Sequence, residues 1–220
     1  SNISVALGNT FISLETLSSD PASLAAREEV LSQFQATCYL FQSNSSTLNG
    51  LEKSTNAQIT QTVEDINSCS QQLANLNKEI TKVYNQTGTL PADLLDQRDL
   101  LLDELNSLVG IKVTENPTNG SVDVTMTNGL PLVSGDRYYT LATSSSQEDP
   151  SKTVVSYIDA AGNSLPIDES KLTTGTLGGL FKFRNEDLVD AQNQLDQMAL
   201  QMANRFNEIN KQGYDLYGNP

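Results

Sequence analysis

A chain of 220 residues can bury one large hydrophobic core or two modest ones, yet only 37% of it is apolar, 6% is aromatic and tryptophan is absent. The net charge of −14 repels nucleic-acid phosphate and anionic lipid, so partners are expected to be proteins, with no nucleic acid and no membrane among them. Histidine is absent and the only cysteines are Cys38 and Cys69, which removes the commonest acid–base group, the commonest zinc ligand and any disulfide framework.

The first element in chain order is a helix over Ile3 to Leu17, whose apolar residues Ile3, Leu7, Phe11, Leu14 and Leu17 recur at helical spacing. Ser18-Ser19-Asp20-Pro21 interrupts it. Asp20 suits an N-cap and Pro21 a first helical position, so a second helix is expected to start there.

That second helix carries a heptad register. Leu31, Cys38, Ser45, Glu52, Ile59, Ile66, Leu73 and Ile80 are spaced by seven. Phe34, Phe41, Leu48, Thr55, Thr62, Cys69, Leu76 and Val83 form a second set offset by three. A helix over 21–84 would be about 95 Å long. Asn49-Gly50 is its one internal breaker, and two geometries fit: a straight helix, favoured by the unbroken phase, or an antiparallel hairpin turning near 49–56. In the straight form Cys38 and Cys69 lie about 46 Å apart and stay as buried free thiols; in the hairpin they could face each other.

Gly88 marks a linker, after which Pro91 and Asp93 open a third helix through Leu94, Leu95, Arg98, Leu101, Leu102, Leu105 and Leu108, stopped by Gly110. From Gly110 the period changes to two. Ile111–Thr114, Val122–Met126, Leu132-Val133, Tyr138–Leu141 and Thr153–Ile158 read as strands. The turns between them carry Asn119-Gly120, Asn128-Gly129 and Ala161-Gly162-Asn163, which makes a small antiparallel meander over 111–167. A last helix, capped by Asn185, carries the stripe Leu188, Ala191, Leu195, Met198, Met202, Phe206 and Ile209 and ends before Gly213. The fold class is α+β, mainly α: an elongated helical bundle on a long heptad helix, with a small antiparallel β insertion. Residues 1–110 read as the N-terminal part of a helical rod, 111–175 as the β-rich insertion, 176–213 as the returning helix and 214–220 as the start of a further region. The returning helix and the helix at 91–108 are expected to pack on the long helix.

Chemistry is sparse. Asp93, Asp96, Asp99, Asp103 and Glu104 are the densest carboxylates, but leucines hold the opposite face and the cluster reads as solvated, with Arg98 in surface ion pairs. Gly175-Thr176-Leu177-Gly178-Gly179-Leu180-Phe181-Lys182 lacks the Gly-Lys-Ser/Thr ending of a phosphate loop and reads as a flexible re-entry into the last helix. Tyr214–Asn219 lacks the acidic ligands of a calcium loop. No catalytic residue, cofactor or metal ligand is assigned, and the chain is not expected to be an enzyme.

Three stretches carry a resemblance. Leu94-Leu95-Asp96-Gln97-Arg98-Asp99 is followed by Glu104-Leu105 and Val109-Gly110. Thr174-Gly175-Thr176-Leu177-Gly178-Gly179-Leu180 is followed by Phe183-Arg184, and Gly213-Tyr214-Asp215 by Gly218-Asn219. In this order after a long heptad helix they resemble the flagellar hook-associated protein 1 family. The resemblance implies an internal core of a structural subunit, exported by the flagellar type III route to the extracellular flagellum and packed at the hook–filament junction. It implies as partners further copies, the hook protein and the second junction protein, with an export chaperone reached through a terminal region outside these residues, and a monomer for this stretch alone. The alternatives are another flagellar axial protein, such as flagellin or the second junction protein, and a generic coiled-coil interaction module that would dimerise through the heptad seam.

Overall fold

The structure, a computed structural model, describes residues 3–212. Helix α1 (Ile3–Ser19) is followed by α2 (Leu24–Thr87), which runs without interruption through Asn49-Gly50. The straight form of the long helix therefore holds, and the hairpin does not. Its start lies three residues later than expected. Asp20–Ala22 form the turn, and Ser23 caps the helix by accepting from the Ala26 amide at 3.2 Å.

The chain divides into two compact units, one formed by residues up to Leu51 and from Leu188 onward, the other by Glu52–Asp187. This is not the division at residue 110 expected from the change of period. The physical reason lies in α2, whose first and second halves bury against different neighbours.

In the first unit, α1 and α5 (Leu188–Gln212) pack on each other, and each touches the first half of α2, α1 through Thr10 and Thr37 and α5 through Phe206 and Phe34. Leu7, Leu14, Leu188 and Leu195 are its buried aliphatic residues. Phe34 and Phe206 meet with ring centroids 6.0 Å apart, and Arg205 bridges to Glu15 at 3.1 Å. At the contact of α1 with α2 the hydroxyls of Thr10 and Thr37 lie 2.8 Å apart, and Thr10 is 2.9 Å from the Ala6 carbonyl oxygen. One hydroxyl can pass its proton to that carbonyl while accepting from the other, so both buried groups are satisfied. The expected packing of the returning helix on the long one holds for this half of α2. The helix at 91–108 belongs to the other unit and does not complete that bundle.

In the second unit, Ile59, Val63, Ile66, Cys69, Leu73 and Ala74 of α2 form one core with strand residues and with α3 (Ala92–Leu108). The strand residues are Val122, Val124, Met126, Leu132, Val133, Leu141, Val155 and Tyr157. The expected single meander is two sheets. One has order β1-β2-β3-β4, from Ile111–Glu115, Val122–Met126, Pro131–Ser134 and Arg137–Tyr138. The other has order β5-β6-β7, from Thr140–Ser145, Thr153–Ile158 and Ser164–Pro166. All pairs are antiparallel, and the expected strand Tyr138–Leu141 is broken at Tyr139, where the chain passes between sheets.

Beyond a 3-10 turn at Glu169–Lys171, the glycine-rich stretch is a helix, α4 (Gly175–Lys182), rather than a flexible re-entry. Its glycines serve close approach. A Cβ on Gly178 would meet the Thr173 carbonyl carbon at 2.4 Å, and one on Gly175, at φ +73°, would meet the Leu108 backbone at 2.8 Å. A π-helical turn at Phe183–Asp187 joins α4 to α5, so Asn185 lies inside helical structure and is not the N-cap expected of it.

Candidate functional site

The second half of α2 buries more than a coiled-coil seam. Besides the two heptad sets, Asn56, Val63, Ser70 and Asn77, again spaced by seven, are all buried. Three buried positions per heptad make a stripe wide enough to take a sheet, where two would make only a narrow helix–helix seam. Two members of this third set, with Asn67, bind strand backbone through their side-chain amides.

Asn77 donates through Nδ2 to the carbonyls of Val122 and Gly135, each at 2.7 Å, and its Oδ1 accepts from the Val122 amide at 2.8 Å. Asn67 donates to the Leu141 carbonyl at 2.9 Å and accepts from the amide of the same residue at 2.8 Å. Asn56 donates to the Ser151 carbonyl at 2.8 Å and accepts from the Thr153 amide at 3.2 Å. Each amide presents one donor and one acceptor side by side, as a neighbouring strand would, and so completes the pairing of a sheet edge that faces the helix.

Two buried arginines fix the remaining elements. Arg98, 6% exposed, donates to the Gly120 carbonyl at 2.6 Å and pairs with Asp99 at 2.9 Å and Glu115 at 3.4 Å. It therefore ties α3 to the β1–β2 hairpin and is not the exposed residue expected. Arg184, 2% exposed, grips both oxygens of Glu169 at 2.8 and 2.7 Å, reaches Asn56 Oδ1 at 3.0 Å and the Thr153 carbonyl, and lies over the Phe181 ring at 5.7 Å. Asn185 adds a donor to Glu169 at 2.7 Å. One hub thus joins the 3-10 turn, the π turn, β6 and α2. Both arginines come from stretches that carried the family resemblance, and both act inside the fold.

The carboxylates Asp93, Asp96, Asp99, Asp103 and Glu104 are all exposed, as a solvated face requires. Among the described residues no group of three or more His, Cys, Asp or Glu side chains is placed to hold a metal ion. Tyr214–Asn219 lies outside the described residues. The two cysteines are free, but only Cys69 is buried; Cys38 is exposed, because the first half of α2 meets its neighbours along Phe34, Thr37 and Phe41 rather than along Leu31 and Cys38. Burial, and secondarily the Glu104 and Asp65 carboxylates, push the Cys69 thiol up to about 11. Among the described residues no helix is long and apolar enough to cross a membrane.

Sequence reasoning missed the asparagine contacts. A signal was present in Val63, an apolar residue outside both heptad sets, which indicates a stripe wider than a seam. The positions of Asn56 and Asn77, seven before and fourteen after it, follow from that stripe. Asn67, on its flank, has no such signal.

Residues 1–220 match the family described as the flagellar hook-associated protein FlgK helical domain. Flagellar hook-associated protein 1 of Salmonella typhimurium is 39% identical over 220 residues, covering all of this chain and 40% of the relative. That of Escherichia coli K12 is 36% identical over 219 residues, again with 40% of the relative covered. A solved structure, the flagellar hook junction protein FlgK from Burkholderia pseudomallei, superposes with a TM-score of 0.78 at 35% identity, over 89% of this chain and 35% of that one. The chain thus spans about two fifths of the length of the curated relatives named here. A match that begins and ends with the chain, joined to a fold shared at that identity, leads to one assignment: the chain belongs to the flagellar hook-associated protein 1 (FlgK) family.

Proposed function

We propose that this chain is the helical part of a structural subunit at the hook–filament junction of the bacterial flagellum, and that it works by packing against other proteins rather than by catalysis. The observation that carries this reading is the family match over all 220 residues. The buried arginines and asparagines support it, since every one of them is occupied with holding strands and helices together. The subunit reaches the extracellular flagellum by the flagellar type III route, and its neighbours there are further copies of itself, the hook protein and the second junction protein. An export chaperone binds outside this stretch, which by itself is a monomer.

Immunogold electron microscopy of isolated flagella, with an antibody raised against this chain, tests the proposal. A single labelled band where hook meets filament is expected. Label along the whole filament would favour a flagellin-like role, and flagella without label would overturn the reading. A chain that dimerised in light scattering would favour the coiled-coil adaptor instead.

A further inference from the structure

Leu177, Phe181, Arg184, Leu188 and Leu195 are all buried. Their spacings of four, three, four and seven residues would place them on one stripe of an unbroken α-helix. That stripe does not serve one core. Leu177 and Phe181 lie in the core of the Glu52–Asp187 unit, whereas Leu188 and Leu195 belong to the other unit, in which α5 packs on α1. The π turn Phe183–Asp187 falls between the two groups. Such a turn holds one residue more than an α turn, so the helix beyond it is rotated by about 100°, the angle that one residue subtends at 3.6 residues per turn. One sequence stripe thereby becomes two apolar faces on a single run of helix.

The extra residue is held where it is. Arg184 grips both oxygens of Glu169 and reaches Asn56 Oδ1 and the Thr153 carbonyl, and Asn185 donates to the same Glu169 at 2.7 Å. Consecutive side chains of an α-helix point away from one another, yet these two converge on one carboxylate. Their partners sit in the 3-10 turn, in β6 and in the second half of α2, so the turn is anchored wholly within its own unit. Helix α2 crosses from one unit to the other without a break, which fixes the phase in which its Thr37 meets Thr10 of α1. Because α5 packs on the same α1, it has to arrive in matching phase. We infer that the π turn is a phase-setting device, whose one extra residue, pinned through Arg184 and Asn185 on Glu169, turns α5 so that Leu188 and Leu195 are buried in the unit that contains α1. The device is independent of the junction role.

Glu186 and Asp187 are the exposed residues of the turn. Deleting Glu186 removes the extra residue and should rotate α5 by about 100° against α1. The ion pair of Arg205 with Glu15, at 3.1 Å, marks the place where the two helices meet. Glu15→Cys and Arg205→Cys are introduced with Cys38→Ser into the 220-residue chain and joined by a short bismaleimide; the remaining Cys69 is buried. The pair should couple readily in the undeleted chain and about tenfold or more slowly without Glu186, while the β2 amides keep their protection from hydrogen exchange. Deleting Glu186 and inserting an alanine after Asp187 restores the residue count and should restore coupling. Coupling that survives the deletion would mean that α5 finds α1 without the turn. Coupling that the alanine fails to restore would mean that the side chains of the turn matter and its length does not. Either overturns the inference, as does loss of protection in β2, since the turn would then be holding its own unit together rather than phasing the next helix.

Discussion

Replacing Asn77 by alanine should destabilise the protein far more than loss of a surface amide. The side chain is 1% exposed and makes three hydrogen bonds, two to Val122 and one to Gly135. Val122 is itself 1% exposed, so its amide and carbonyl would be left without a partner in a dry environment. A buried polar group that loses its partner costs about 1–3 kcal/mol, and two such groups put the loss at about 2–6 kcal/mol. In a domain of this size 1 kcal/mol shifts the melting temperature by about 3–5 °C, so a drop of about 10 °C is expected. The control is Asn75→Ala, on the same turn of α2 but exposed, which should stay within about 0.5 kcal/mol of the starting protein. Urea unfolding followed by circular dichroism measures both. If the two variants unfold within 0.5 kcal/mol of each other, the asparagine is not holding the sheet and the reasoning fails.

Neighbouring glycines of α4 should respond with opposite signs. Gly178→Ala drives a Cβ into the Thr173 backbone and should lower the melting temperature, while Gly179→Ala enters open space inside a helix and should raise stability by up to about 1 kcal/mol. Ile66→Asp places a carboxylate at a position of zero exposure and should cost more than about 4 kcal/mol, against less than about 1 kcal/mol for Asp99→Ala on the surface; equal losses in thermal melts would contradict the helix–sheet core. Alkylation of the native chain at pH 8 should modify Cys38 alone, and both cysteines in urea, as counted by mass spectrometry. The raised Cys69 thiol also links stability to pH. Because the folded protein disfavours its ionisation, that contribution is complete below the ordinary value of 9.0 and is lost as pH rises from there through about 11. Cys69→Ser should flatten the decline in denaturant midpoint over that window.

Helix positions were legible because they rest on local chemistry. Apolar residues at helical spacing located α1, the heptad phase located α2 through Asn49-Gly50, and Pro91 with Gly110 bracketed α3. The hairpin turns were legible for the same reason. What escaped depends on residues distant in the chain. Asn67 meets Leu141, and because it lies off the stripe that Val63 signals, nothing in the helix sequence distinguishes it from an asparagine facing water. Propensity misled at Gly175–Lys182, where glycine weakens an isolated helix but is required where α4 passes close to the Thr173 and Leu108 backbones. Arg98 was misjudged likewise and Arg184 was given no role, since arginine is rarely buried except with partners, and theirs lie in other elements.

The two halves of α2 do different work, which amide hydrogen exchange on the 220-residue chain measures residue by residue. Amides from Ile59 to Ile80 and in β2 should exchange only through unfolding of the whole Glu52–Asp187 unit, while those from Val30 to Leu51 should exchange orders of magnitude faster through local opening. Equal protection along the full length of α2 would contradict it.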